Sequence, residues 1–80
     1  MYHVYILACS DTTLYTGITV DLGRRVKEHN TSTLGAKYTR IRRPVTLVYS
    51  KKFSNRSRAA KEEARIKKLQ RSEKLKLIRN

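Results

Sequence analysis

The chain has 80 residues, 39% of them hydrophobic, and carries 19 Lys/Arg against 6 Asp/Glu, a formal net charge of +13. That length supports one small domain, residues 1–80, with a single core and little apolar surface to spare. The single cysteine, Cys9, excludes an internal disulfide, and no apolar run or basic leader marks a membrane span or signal peptide.

Residues 2–8, Tyr-His-Val-Tyr-Ile-Leu-Ala, are aromatic and β-branched and predict a buried strand. Ser10-Asp11-Thr12 is a turn signal, and Leu14 to Ile18 predicts the returning strand of a hairpin. Asp21 is placed to cap a helix over Leu22 to Asn30, which Thr31 to Thr33 and Gly35 then break. Residues 36–43 are polar and basic and hold at most a short helical turn. Pro44 opens a third strand, Val45 to Phe53. Ser54-Asn55 caps a helix from Arg56 to Gln70, and Ser72 with Glu73 starts a last helix ending at Ile78. The order β-β-α-β-α-α predicts an α/β (α+β) domain, a small three-stranded sheet flanked by helices.

The charge is unevenly placed. From His29 to Lys61 there are nine Lys/Arg and no acid. Self-repulsion at this charge is relieved by a polyanion, which makes nucleic acid the leading partner. Lys37, Tyr38, Arg40, Arg42 and Arg43 in that stretch suit phosphate contact and base stacking. The expected protein is cytoplasmic, free of membranes and monomeric by default. Zinc spacing and a Gly-rich phosphate loop are both missing, and Cys9 reads as a buried structural thiol.

Three sets of residues stand out from the packing pattern. On the first helix Arg25 and His29 fall beside the apolar arc of Leu22 and Val26, while Arg24 and Glu28 project outward as a surface pair. On the second long helix the inner arc reads as Ala59, Ala60, Ala64, Ile66 and Leu69. Glu63 lies within about 30° of its centre and Glu62 about 75° away. A carboxylate facing a core needs a cation, either Arg25 or a metal ion. In the hairpin, a turn symmetrical about Ser10 puts Tyr5 opposite Tyr15 and leaves Gly17 open to a ligand or backbone.

These positions together resemble the GIY-YIG nuclease superfamily, in particular its small stand-alone bacterial members. The first motif stands as His3-Val4-Tyr5, keeping the tyrosine but not the initial Gly-Ile. The second stands as Tyr15-Thr16-Gly17, followed by Arg25, His29, Gly35-Ala36-Lys37-Tyr38-Thr39-Arg40 and Glu63. The resemblance implies metal-dependent phosphodiester cleavage, with DNA favoured over RNA and Mg²⁺ or Mn²⁺ as cofactor. It implies Tyr5 or Tyr15 near the attacking water, Arg25 on the phosphate, His29 in proton transfer and Glu63 on the metal. Gly17, Lys37, Tyr38 and Arg40 would line the nucleic-acid path. Family nucleases often add a late asparagine, a role transferred here to neither Asn55 nor Asn80. On pKa alone, His29 is a better-tuned base than a tyrosine. The alternative is a non-catalytic nucleic-acid-binding module, or a ribosome-associated or protein-interaction subunit, with a vestigial site.

Overall fold

The structure, a computed structural model, describes residues 1–79; Asn80 lies outside the described residues. Strands β1 (Tyr2–Ala8) and β2 (Leu14–Thr19) form the expected hairpin, and β3 (Thr46–Phe53) pairs with the other side of β1. All pairing is antiparallel, in the order β2-β1-β3. Helices α1 (Leu22–Thr31) and the short α2 (Lys37–Arg40) precede β3, and α3 (Arg56–Lys68) and α4 (Arg71–Arg79) follow it. The predicted order holds, with the 36–43 turn realised as α2. Boundaries differ by a residue or two. No helix among the described residues is long and apolar enough to cross a membrane.

β1 is central and covered on both faces, which is why its hydrophobic run is nearly continuous. Val4, Tyr5, Ile6 and Leu7 are all buried. Alternation sends Val4 and Ile6 towards Ala59 and Ile66 of α3, with Leu77 and Ile78 of α4 packed alongside. Tyr5 and Leu7 go the other way, joining Cys9, Val45, Leu22 and Val26. Each fully buried aliphatic side chain contributes about 1.5–3 kcal/mol. The sheet is thus the middle of three thin layers.

The hairpin is not symmetrical about Ser10. Cys9 N–H donates to the Thr13 carbonyl at 2.9 Å, enclosing a three-residue loop whose last residue, Thr12, has φ 69°. A type I turn followed by a left-handed residue is the usual three-residue closure. Asp11 Oδ1 holds it by accepting from Thr13 N and Thr13 Oγ1. The centre of pairing therefore moves to Asp11, and Tyr5 lies opposite Gly17, not Tyr15; Tyr15 lies opposite Leu7. A shift of two residues keeps each side chain on its expected face.

Asp21 caps α1 as predicted, its Oδ1 accepting from Arg24 N at 3.1 Å. The other end of α1 is bound by residues far along the chain. The Arg43 guanidinium donates to the carbonyls of His29, Glu28 and Ser32, neutralising the negative end of the helix. Asn30 and the Val45 backbone exchange two hydrogen bonds, 3.0 and 2.7 Å. Gly35 packs on the same turn, where a Cβ would lie 2.8 Å from the Glu28 carbonyl oxygen and 2.9 Å from His29 Cα. These contacts tie residues 32–45 to α1 and fix where α2 can stand.

α3 corrects the predicted inner arc. Ala59 and Ile66 are buried, whereas Ala60 and Ala64 are exposed. The Ala59–Ile66 axis puts Glu62 and Glu63 roughly 50° to either side of the face centre. Glu62 is the more covered, its side chain 14% exposed against 24% for Glu63. Small alanines tolerate either environment, so including them tilted the expected arc.

Candidate active site

Four side chains singled out from the sequence meet at the β2 edge of the sheet. Tyr5, on β1, crosses beneath its neighbour strand over Gly17. An ideal Cβ on Gly17 would lie 2.5 Å from Tyr5 Oη and 2.7 Å from Cζ. The gap expected to admit a ligand is filled by the tyrosine itself. Tyr15, on β2, lies 6.5 Å from the Tyr5 ring and 5.2 Å from the His29 ring, centroid to centroid. Tyr5 and His29 meet edge to face at 5.9 Å.

His29 is fully buried, and both ring nitrogens are hydrogen-bonded. Proton directions follow from the partners. Thr39 has one hydroxyl hydrogen, which it donates to the Ala36 carbonyl at 3.0 Å. Thr39 Oγ1 must then accept from Nδ1–H at 2.8 Å, which leaves Nε2 as an acceptor. Tyr5 Oη fills that role as donor at 2.9 Å. A directed chain results: Tyr5 O–H to His29 Nε2, His29 Nδ1–H to Thr39, Thr39 O–H to Ala36. Burial, reinforced by the nearby Arg25 and Arg43 charges and opposed by Glu28, lowers the His29 pKa to about 4. The imidazole is neutral at pH 7. The expectation of a histidine tuned near neutrality is therefore corrected, since desolvation outweighs the single carboxylate nearby. Burial also raises the Tyr5 pKa, with Arg25 pulling it back and Tyr15 and Glu63 pushing it up.

Arg25 stands beside this pair, 25% exposed, with its partner within its own helix. Its Nη1 donates to Glu28 Oε1 at 3.0 Å and to the Leu34 carbonyl at 2.8 Å. The guanidinium also interacts with the Tyr5 hydroxyl, and the rest of its five N–H donors suit an anion. Glu28 is 19% exposed and also meets Arg24 Nε at 3.7 Å. The outward Arg24–Glu28 pair is thus a shared carboxylate that orients Arg25. One turn of helix brings both arginines within its reach.

Glu63 is not Arg25's partner. Its Oε2 meets Lys67 Nζ at 3.2 Å, an ordinary (i, i+4) pair. Its charge nevertheless reaches Tyr5, adding a small upward push to the tyrosine's pKa. Glu62 faces the other way, binding Arg65 through Nε and Nη2 at 2.8 Å each and feeling Lys51 of β3. No group of three or more His, Cys, Asp or Glu side chains converges among the described residues. A single part-exposed carboxylate still fits Mg²⁺, which keeps most of its water and takes phosphate oxygens. Such a fit does not require a cage of protein ligands.

The basic segment packs on the same corner. Tyr38 stacks on Tyr15 at 6.0 Å and 28°, and the Arg42 guanidinium lies 4.0 Å over the Tyr38 ring. Arg42 also holds Asp11 of the hairpin turn at 3.0 Å. The tyrosine expected to stack on bases is thus already engaged within the protein. Lys37 and Arg40 are exposed, with Arg40 touching the Thr33 carbonyl. Asn55 is accounted for as the cap of α3, its Oδ1 accepting from Arg58 N. Arg43, expected on phosphate, instead binds the carbonyl end of α1, and Thr39 is a site residue that the sequence reading does not single out. The only sequence signal for Thr39 was its place in the segment Gly35–Arg40.

A sheet edge where a buried neutral histidine accepts a hydrogen bond from a strand tyrosine, beside an arginine, fits a GIY-YIG-type domain. Residues 1–76 match the family model for the GIY-YIG catalytic domain, and the chain belongs to that family. It is similar to a UPF0213 protein of Syntrophus aciditrophicus, 54% identical over 77 residues that cover 96% of this chain and 88% of that one. The UPF0213 protein OB0043 of Oceanobacillus iheyensis is 56% identical with the same coverage. Among solved structures, the UPF0213 protein BH0048 from Bacillus halodurans is 44% identical, with a TM-score of 0.62. That match covers 98% of this chain and 83% of the other. EF2693 from E. faecalis is 47% identical with a TM-score of 0.63, over 91% and 77% of the two chains.

Proposed function

We propose that the protein is a divalent-metal-dependent endonuclease, acting on DNA in preference to RNA. The observation that carries this reading is the directed chain from Tyr5 through His29 to Thr39, with Arg25 alongside. A neutral Nε2 accepts the Tyr5 proton as the tyrosine oxygen takes one from an attacking water. An arriving phosphate offsets the Arg25 charge, which after burial is the next influence lowering the histidine's basicity. Arg25 stabilises charge growing on the phosphate as the phosphorus–oxygen bond to the leaving strand breaks. Glu63 would hold Mg²⁺ or Mn²⁺, which when bound supplies Lewis-acid stabilisation of the phosphate oxygens.

The test is a nicking assay over duplex, single-stranded and branched DNA and matching RNA, with Mg²⁺, with Mn²⁺ and with chelator. Chelator-sensitive DNA cleavage that Arg25→Ala abolishes is the expected result. Tight binding without cleavage under any of these conditions would replace the enzyme with a binding module.

A further inference from the structure

Beside the tyrosine site is a concavity that shares Arg25 with it and is otherwise unused by the chemistry above. It lies where β1 begins, β2 ends, and α1 and α3 both start, and it measures about 360 Å³. Its lining combines the largely apolar Tyr2, Ile18 and Val20 with Arg24, Arg25 and Arg56. Glu28 is the carboxylate in the lining, and it is divided between Arg24 at 3.7 Å and Arg25 at 3.0 Å. Arg56 has no carboxylate within ion-pair distance among the described residues. Three guanidiniums therefore line the pocket against a single carboxylate, and the pocket is electropositive.

The position of Arg56 adds a second observation. It is the first residue of α3, whose first turn contains no acid and whose cap is the neutral Asn55. A cation there opposes the helix dipole, a local cost that an anionic ligand would reverse. The volume is at the small end of ligand sites, sufficient for one nucleotide unit and too small for a duplex. A lining that joins apolar side chains with guanidiniums matches a ring and a phosphate on one ligand. Arg25 belongs to both the pocket and the Tyr5 site, so the two are adjacent.

We infer that this pocket binds the nucleotide next to the cleaved phosphate. Arg24 and Arg56 take that nucleotide's own phosphate, and Tyr2 packs on its base or sugar. The assignment rests on the nuclease reading for its place in the reaction, but the binding it requires can be measured alone.

The probes are a 5′-phosphorylated deoxyuridine dinucleotide, its uridine counterpart and inorganic phosphate, titrated while following the backbone amide resonances. The dinucleotides should shift Tyr2, Ile18, Thr19, Val20 and Arg24. Arg56→Gln should weaken them about tenfold, the scale of one charge-assisted contact. Arg58→Gln removes the same charge from the same helical turn without lining the pocket, and should change affinity less than twofold. Equal binding of both dinucleotides assigns the pocket to the shared nucleoside phosphate, and unequal binding to one sugar; either supports the site. Equal losses in the two variants, or phosphate binding as tightly as a dinucleotide, would overturn it. Cleavage by a wild-type protein whose pocket resonances stay still sinks the pocket alone. Pocket shifts in a protein that never cleaves sink the nuclease reading and leave the nucleotide site standing.

Discussion

The Tyr5 hydroxyl occupies the space that any side chain on Gly17 would need, 2.5 Å from the ideal Cβ position. Gly17→Ala must therefore displace the tyrosine ring from His29. Overpacking of this kind costs about 1–3 kcal/mol, and cleavage should fall well over tenfold. Denaturant unfolding with a nicking assay measures both. Unchanged activity would mean that the Tyr5–His29 hydrogen bond is dispensable.

Thr39 sets the histidine tautomer, so its two conservative replacements should diverge. Thr39→Val keeps the shape but orphans Nδ1–H in a buried site, at a cost of about 1–3 kcal/mol. Thr39→Ser restores the acceptor and should recover most activity. Equal activity of the valine and serine variants would remove the directed chain from the mechanism.

The buried, neutral His29 makes stability depend on pH. Between about pH 6.5 and 4 the unfolded chain binds a proton on this ring that the folded chain refuses. Stability therefore falls as pH drops through that window and levels off below about 4, a loss of roughly 3 kcal/mol. Urea unfolding at a series of pH values gives the slope, and an NMR titration of the ring gives the midpoint. A midpoint near 6.5 would contradict the burial argument.

Glu62 and Glu63 should separate stability from activity. Glu62 holds Arg65 by two hydrogen bonds and is the more covered, so Glu62→Gln should be the more destabilising, by about 1 kcal/mol or less. Glu63→Gln gives up only the Lys67 pair and should leave stability nearly unchanged. Metal-dependent cleavage should vanish in Glu63→Gln while DNA binding persists, and Glu62→Gln should retain both. Full cleavage by Glu63→Gln would leave the metal without its proposed ligand.

Binding should be dominated by counterion release. The acid-free stretch from His29 to Lys61 carries nine basic residues. Affinity for unrelated sequences should fall together by orders of magnitude between about 50 and 200 mM salt. A flat salt response in a fluorescence titration would remove phosphate contact as the main attraction.

Much of the fold was legible because its signals are local. The run from Tyr2 to Ala8, Asp21 before Leu22 and Asn55 before Arg56 each act within a turn or a strand, and each element formed as read. Helical spacing likewise determined that Arg25 and His29 share one side of α1. Where the wheel failed, on α3, the buried pair Ala59–Ile66 set the face and the neutral-minded alanines did not.

Distance in sequence marks what only the tertiary structure decided. The left-handed Thr12 moved the hairpin register by two residues, and so placed Gly17, not Tyr15, against Tyr5. Arg43 and Asn30 carried Thr39 to His29 across ten residues of chain, and burial there took the imidazole pKa from its ordinary value to about 4. The sequence by itself determined which groups were available, because spacing and charge are properties of the chain. Which hydrogen bond each one makes, and hence where the protons sit, depends on desolvation and on partners that packing alone brings together.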